Sequence, residues 1–194
     1  MMLLLMGLIV FLSVHALPAN RALRDGLVGR FGETAYKGAF SLVSLAGFVM
    51  IVLGYAKMQE LTGSKNPILW DPPNWTRHAA YTLMIPAMIL LVAAYVPSRI
   101  RAAAKHPMLL AVKIWALAHL IANGDAASLI LFGSFLAWAI FDRISLKRRG
   151  DMGAGAGGAT ILNDIIVIAA GLALYAGMLV WGHGALIGVP LVSL

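Results

Sequence analysis

Six apolar stretches dominate this sequence, and each is long enough, or nearly so, to cross a lipid bilayer. They lie near residues 2–20, 38–56, 77–97, 107–122, 126–141 and 163–183. Covering a hydrocarbon core of about 30 Å takes about 20 predominantly apolar residues in a helix. Inside lipid, every backbone N–H and C=O must find its partner within the protein, which leaves helices as the spanning element for runs of this length. The expected fold class is therefore all-α: a polytopic integral membrane helical bundle of about six transmembrane helices. Composition agrees. The chain is 61% hydrophobic and only 12% charged, about half the charge of a soluble domain. Its 194 residues leave only short loops between spans, so we expect one transmembrane domain over 1–194.

Local signals divide the runs. No charge precedes Arg21, whereas a secretory signal opens on positive charge, so the first run is read as a retained helix. Pro86 stands inside the third run and should kink it. Only Asn123-Gly124-Asp125 separates the fourth run from the fifth. This reads as a tight hairpin in which Gly124 supplies a left-handed turn and Asp125 caps the next helix. Residues 150–160 are rich in Gly and Ala and are expected to form a flexible linker. The segment RALRDGLVGR, Arg21 to Arg30, sets Leu23, Leu27 and Val28 against three arginines. It fits a short helix on an anionic lipid surface, or an ordinary charged loop.

Orientation follows from the basic residues. Arg21, Arg24, Arg30 and Lys37 lie between runs one and two. Arg99, Arg101 and Lys105 lie between three and four, and Arg143, Lys147, Arg148 and Arg149 between five and six. Cytoplasmic loops collect Lys and Arg, so these loops face the cytoplasm and both termini face outward. The expected location is the bacterial inner membrane, multi-pass. The net charge of +7 is accounted for by these loops and calls for no nucleic-acid partner. A reporter fused after Leu194 is expected on the periplasmic side; a cytoplasmic signal would overturn the six-span reading.

Ionisable groups within spans cost about 2.5–3.5 kcal/mol each at mid-helix, so they are the candidates for chemistry. There are five histidines and no cysteine, which excludes thiolate haem ligation, iron–sulfur clusters and thiol catalysis. His78, His106 and His183 lie near span ends, where imidazole can reach interfacial water. His15 and His119 lie deeper, where neutral imidazole suits an axial position on haem iron or simply satisfies a structural role. Trp115, His119 and Asn123 recur at i, i+4, i+8 and share a helix face. His106 and Lys113 share another. Lys113 can snorkel to the boundary or pair with a carboxylate or cofactor propionate. The loop WDPPNWTRH, Trp70 to His78, reads as an interfacial anchor or as a lid near His119. No phosphate loop, dinucleotide fingerprint, nucleophile elbow or metal-spaced Cys/His motif is present, and no residue stands out as catalytic.

Three stretches resemble the NnrU family of membrane proteins: HALPANRALRDGLVGRFGETAYKGAFSLVSLAG from His15, LWDPPNWTRHA from Leu69, and HPMLLAVKIWALAHLIANGDAASLILFGSFLAWAIFDR from His106. The resemblance implies a link to nitrite and nitric-oxide metabolism in denitrifying bacteria. It also implies kinship with the plant 15-cis-zeta-carotene isomerases, membrane enzymes that use haem b. His15 in HALPANRALR and His119 in WALAHL match that family's histidines, and His106 of HPML matches a third. Carried over, the resemblance gives His15 and His119 as haem-iron ligands and His106 as a third match; Lys113, Trp115 and Asn123, singled out above by helix face and by cost in lipid, are the other candidates for contact with the cofactor. Span topology puts His15 inward and His119 outward, with depths differing by about 10 Å at 1.5 Å per residue. His15 with His106, or His78 with His119, are the better depth-matched pairs.

The expected function is thus a haem b-binding membrane protein, tied to nitrogen-oxide metabolism or to a haem-dependent isomerase-like reaction on an apolar small molecule entering from lipid. The alternative is a non-enzymatic assembly or regulatory protein with structural histidines and a protein partner that the sequence does not identify.

Overall fold

The computed structural model describes residues 1–61 and 63–192. Among them there is no strand, and the β pairing consists of one isolated bridge between Ile68 and Asp125. Five helical segments are long and apolar enough to span a membrane: Met2–Ala19, Glu33–Gln59, Asn74–Ala93, Ala126–Arg148 and Ile161–Ile187. A sixth apolar helix, Pro107–Ala122, has 16 residues, about 24 Å at 1.5 Å per residue. Leu42 is 70% exposed, Ile9 66% and Leu53 57%. Large apolar side chains displayed mid-helix in this way belong against lipid rather than water. The chain is an all-α membrane protein.

It divides into two compact units, residues 1–67 and 68–194. The first holds α1 (Met2–Ala16), α2 (Arg21–Phe31) and α3 (Glu33–Gln59). Glycine lets α1 and α3 touch backbone to backbone. A Cβ on Gly7 would lie 2.7 Å from the Ile51 nitrogen, one on Gly47 2.9 Å from the Phe11 nitrogen, and one on Gly54 2.5 Å from the Leu4 nitrogen. Lipid gives no hydrophobic drive for two apolar helices to associate, so close packing over small residues supplies the attraction. The basic segment after α1 is helical: the Asn20 side chain caps α2 by accepting from the Leu23 N–H at 3.1 Å. Leu27 and Phe31 of α2 cover an apolar groove of about 390 Å³ with Val14, Tyr36, Phe40 and Val43.

The second unit holds α4 (Asn74–Ala93), α5 (Arg99–Ala104), α6 (Pro107–Ala122), α7 (Ala126–Arg148), α8 (Ile161–Gly177) and α9 (His183–Ile187). Helix α4 packs on both α6 and α8, and α6 packs on α7. Gly171 of α8 meets Ile89 of α4 so closely that a Cβ would lie 2.6 Å from the Ile89 Cα. The start of α8 is tied to the corner before α5. The Arg99 N–H donates to Asp164 Oδ1 at 2.8 Å, and Asn163 Nδ2 donates to the Pro97 carbonyl at 2.6 Å.

Three local details differ from the sequence reading. Helix α7 runs past Phe141 to Arg148. Nothing in DRISLKR breaks a helix, and Lys147 and Arg148 favour its negative C-terminal pole; the chain turns only at Gly150, with φ 72°. Gly124 is not left-handed, since it is absent from the positive-φ glycines. A glycine is needed there because a Cβ would collide with the Trp70 carbonyl oxygen. The start of the Gly/Ala segment is docked rather than free-standing: the Ala154 N–H donates to the Lys105 carbonyl at 2.7 Å, and Gly153 lies against the His106 ring. Asp125 does cap α7 as its sequence position predicts, accepting from the Ser128 N–H at 3.0 Å.

Candidate functional site

The side chains that could bind something in the second unit meet where α6, α7 and the end of the α8–α9 segment come together. Helix α6 supplies Trp115 and His119, four residues apart and therefore on one face. Their ring centroids lie 5.4 Å apart. Helix α7 supplies Phe132, stacked on His119 at 4.4 Å, and Phe135, edge-on to Trp115 at 5.3 Å. Between α8 and α9 the chain widens into a π-helical turn, Met178–Gly182. Such turns are costly and often found at functional positions. The residue that follows this one is His183. Its ring is nearly parallel to that of His119, at 12°, with 6.4 Å between centroids.

The hydrogen bonds fix what these imidazoles offer. His119 Nδ1 lies 2.8 Å from the Trp115 carbonyl, and His183 Nδ1 lies 2.7 Å from the Val189 carbonyl. A carbonyl only accepts, so in each ring Nδ1 carries the proton. In the neutral ring the lone pair is then on Nε2, the state in which histidine binds a metal, with the Nδ1–H bond holding ring orientation. His15, in the first unit, repeats the arrangement. Its Nδ1 lies 2.8 Å from the carbonyl of Phe11, four residues earlier, and its ring stacks on Phe11 at 4.0 Å. Phe40 contacts it at 5.1 Å and also lines the apolar groove, so His15 sits at that groove's edge.

Among the described residues, no group of three or more His, Cys, Asp or Glu side chains could hold a metal ion. A structural zinc, which takes four protein ligands, is not served by this arrangement. Haem iron brings four nitrogens of its own and asks the protein for one or two axial ligands. His119 and His183, each with Nδ1 committed to a carbonyl and its lone pair on Nε2, are the residues of this unit that would hold such a group.

The other predicted residues take different positions. Asn123 ends α6 and acts as a clamp: its Nδ2 donates to the His119 carbonyl at 2.8 Å, and its own carbonyl accepts from Trp70 Nε1 at 3.2 Å. The Leu69 N–H donates to the Gly124 carbonyl at 2.7 Å. The WDPPNW loop is thus strapped to the turn directly after His119. Trp75 opens α4 and is 66% exposed. His78 is exposed and is not among the ring neighbours of His119, which are Trp115, Phe132 and His183. His106 precedes α6, with its Nε2 buried and unpartnered under Gly153. Lys113 is half-buried, and among the described residues no carboxylate comes within ion-pair distance of it.

Sequence reasoning passed over His183, Phe132 and Phe135 as site residues. The two phenylalanines, three apart, were legible as one helix face. The return of His183 to His119 was not, because it depends on how the α8–α9 segment packs and on the π turn that re-aims it. Searches among curated proteins and among solved structures give no match. The NnrU protein family model matches residues 3–191, which is nearly the whole chain, and the chain belongs to the NnrU protein family.

Proposed function

We propose that this protein binds haem b within the membrane, with His119 as an axial ligand. The observation that carries the reading is the pair His119 and His183, with parallel rings 6.4 Å apart and both Nδ1 atoms committed to carbonyls. His15, which the family resemblance gives as a ligand, has the same Nδ1 arrangement within the first unit. Trp115, Phe132 and Phe135 form an aromatic wall that excludes water and restricts the His119 ring. Asn123 holds the last turn of α6 in place. When bound, haem iron would supply a Lewis-acidic, redox-active centre. The chain's own part is to orient imidazole and keep the surroundings apolar. This fits either a role in nitrogen-oxide metabolism or an isomerase-like reaction on an apolar substrate reaching the protein from lipid, in the bacterial inner membrane. The competing reading is a non-enzymatic assembly or regulatory protein. It draws on the same contacts, since a histidine bonded to its own helix and stacked on phenylalanine already has a structural role.

The test is a visible spectrum. Protein expressed with added haem precursor and purified in mild detergent is expected to show a Soret band that His119→Ala loses by at least about tenfold. His183→Ala and His15→Ala separate the two candidates for the second ligand: the true one should convert a six-coordinate spectrum to a five-coordinate one. His78→Ala should leave the spectrum alone. A colourless wild-type preparation under these conditions favours the non-enzymatic reading.

A further inference from the structure

The apolar groove of the first unit lies apart from the histidine pair of the second. Its volume is about 390 Å³, and it is bounded by the end of α1 at Val14, by Leu27 and Phe31 of α2, and by Tyr36, Phe40 and Val43 near the start of α3. None of the residues that line it is charged. Gly47 meets Phe11 while Gly54 meets Leu4, so α1 and α3 run antiparallel and the groove sits at the end where α2 joins them. Helix α3 has 27 residues, about 40 Å against a hydrocarbon core of about 30 Å. Its ends therefore reach the headgroup level. Tyr36 is about 5 Å and Val43 about 15 Å along it, so the groove runs from that level into the acyl-chain region.

Two guanidinium groups stand at the rim, each over a ring that forms the groove wall. Arg24 Cζ lies 5.9 Å from the centroid of Tyr36, and Arg30 Cζ lies 5.3 Å from that of Phe31. Residues 21–37 carry four cations, Arg21, Arg24, Arg30 and Lys37, against two carboxylates, Asp25 and Glu33. Both carboxylates are already paired, Asp25 with Arg24 and Glu33 with Lys37, in exposed bridges of the kind that solvent weakens. Among the described residues no carboxylate lies within ion-pair distance of Arg30. Tyr36 Oη is buried and makes no hydrogen bond, which is costly for a hydroxyl in apolar surroundings.

Uncharged walls under a cationic rim call for a molecule with a long apolar part and an anionic end. A neutral lipid would leave the surplus positive charge unanswered. A small anion would leave the groove unfilled. An amphipathic helix with arginines beside its apolar face is also the element that anionic lipid surfaces attract.

We propose that the groove seats one acyl chain of an anionic phospholipid from the adjoining leaflet. Arg24 and Arg30 hold the phosphate by charge-assisted hydrogen bonds, and an ester carbonyl of the same lipid accepts from Tyr36 Oη. The chain packs against Leu27 and Phe31 and so ties α2 to the α1–α3 pair.

The test titrates lipid into the detergent-purified full chain and follows the first molecule retained by native mass spectrometry. Phosphatidylglycerol is expected to bind at least about tenfold more tightly than phosphatidylcholine. Arg24→Gln/Arg30→Gln should remove that preference, and Lys147→Gln/Arg148→Gln, an exposed basic pair in the second unit, should keep it. Ala39→Phe fills the groove and leaves the rim intact, so it should weaken phosphatidylglycerol binding about as much as the rim variant does. Neither glycerol phosphate, which has the headgroup without chains, nor palmitate, which has a chain and a carboxylate, should displace the bound lipid at equal concentration. Equal binding of the two phospholipids by the wild type overturns the proposal whether or not any variant folds. So does displacement by glycerol phosphate, which would make the rim a plain anion site, or by palmitate, which would make the occupant a fatty acid. A folded Ala39→Phe protein with unchanged lipid preference overturns it as well, because the lipid would then be held by surface charge alone.

Discussion

Gly124→Ala is expected to destabilise the second unit by about 2–4 kcal/mol. The added Cβ would collide with the Trp70 carbonyl oxygen and sit 3.2 Å from Pro72 Cδ. The first is a backbone atom, so no rotamer change relieves it. Either the 68–72 strap or the 123–125 turn has to move by about 1 Å or more, which stretches the Leu69-to-Gly124 and Trp70-to-Asn123 hydrogen bonds beyond useful length. Tryptophan fluorescence suits the measurement because Trp70 lies at the contact. Gly133→Ala is the matched control. It lies inside α7 with nothing within 4 Å of the new Cβ, and should be neutral or stabilising by up to about 1 kcal/mol. Equal midpoints for the two variants would mean that the strap contributes nothing to stability. Because Asn123 also holds the His119 carbonyl, Gly124→Ala should weaken any ligand bound at His119 as well.

The second large effect is expected at the α1–α3 contact. Gly54→Val places side-chain atoms where the Leu4 nitrogen and Cα already stand, at 2.5 and 2.8 Å from the first added carbon. Trimming the facing side chain with Leu4→Ala should not rescue it, because the clash is with backbone. A loss of about 2–4 kcal/mol is expected. Helix pairs in lipid depend on close approach rather than on hydrophobic drive, so a forced separation is not offset by burying the extra methyl groups. Far-UV circular dichroism is the appropriate probe, since all five tryptophans lie in the second unit and the first has none. Gly26→Ala, with open space around it in α2, should leave the melting curve unchanged or raise it. A Gly54→Val protein that melts with the wild type would show that the two backbones are not in contact.

The residues differ sharply in how much of their role can be read without a fold. Asp125 is legible because an N-cap acts within three residues of itself, and Asn20 before α2 works the same way. The pairing of His119 with Trp115 is legible because a helix puts i and i+4 together. Gly124 is legible as a glycine with a role, but the role differs: the requirement comes from Trp70, more than fifty positions away, and not from a local φ. Lys113 is legible as an expensive residue, but that it is half-buried on α6 with no carboxylate in ion-pair reach among the described residues is seen only in the fold.

The sequence alone determined the solvent and the class of element. Long apolar runs with so few charges are stable only in lipid, and lipid leaves helices as the solution, so this part needs no long-range information. Tertiary structure alone decided which side chains meet: His119 with His183, and the Trp70 strap with the 123–125 turn. Each of those meetings depends on the path of the chain between distant helices, and on close packing and backbone hydrogen bonds that operate over a few ångströms in space and carry no periodic trace in the sequence.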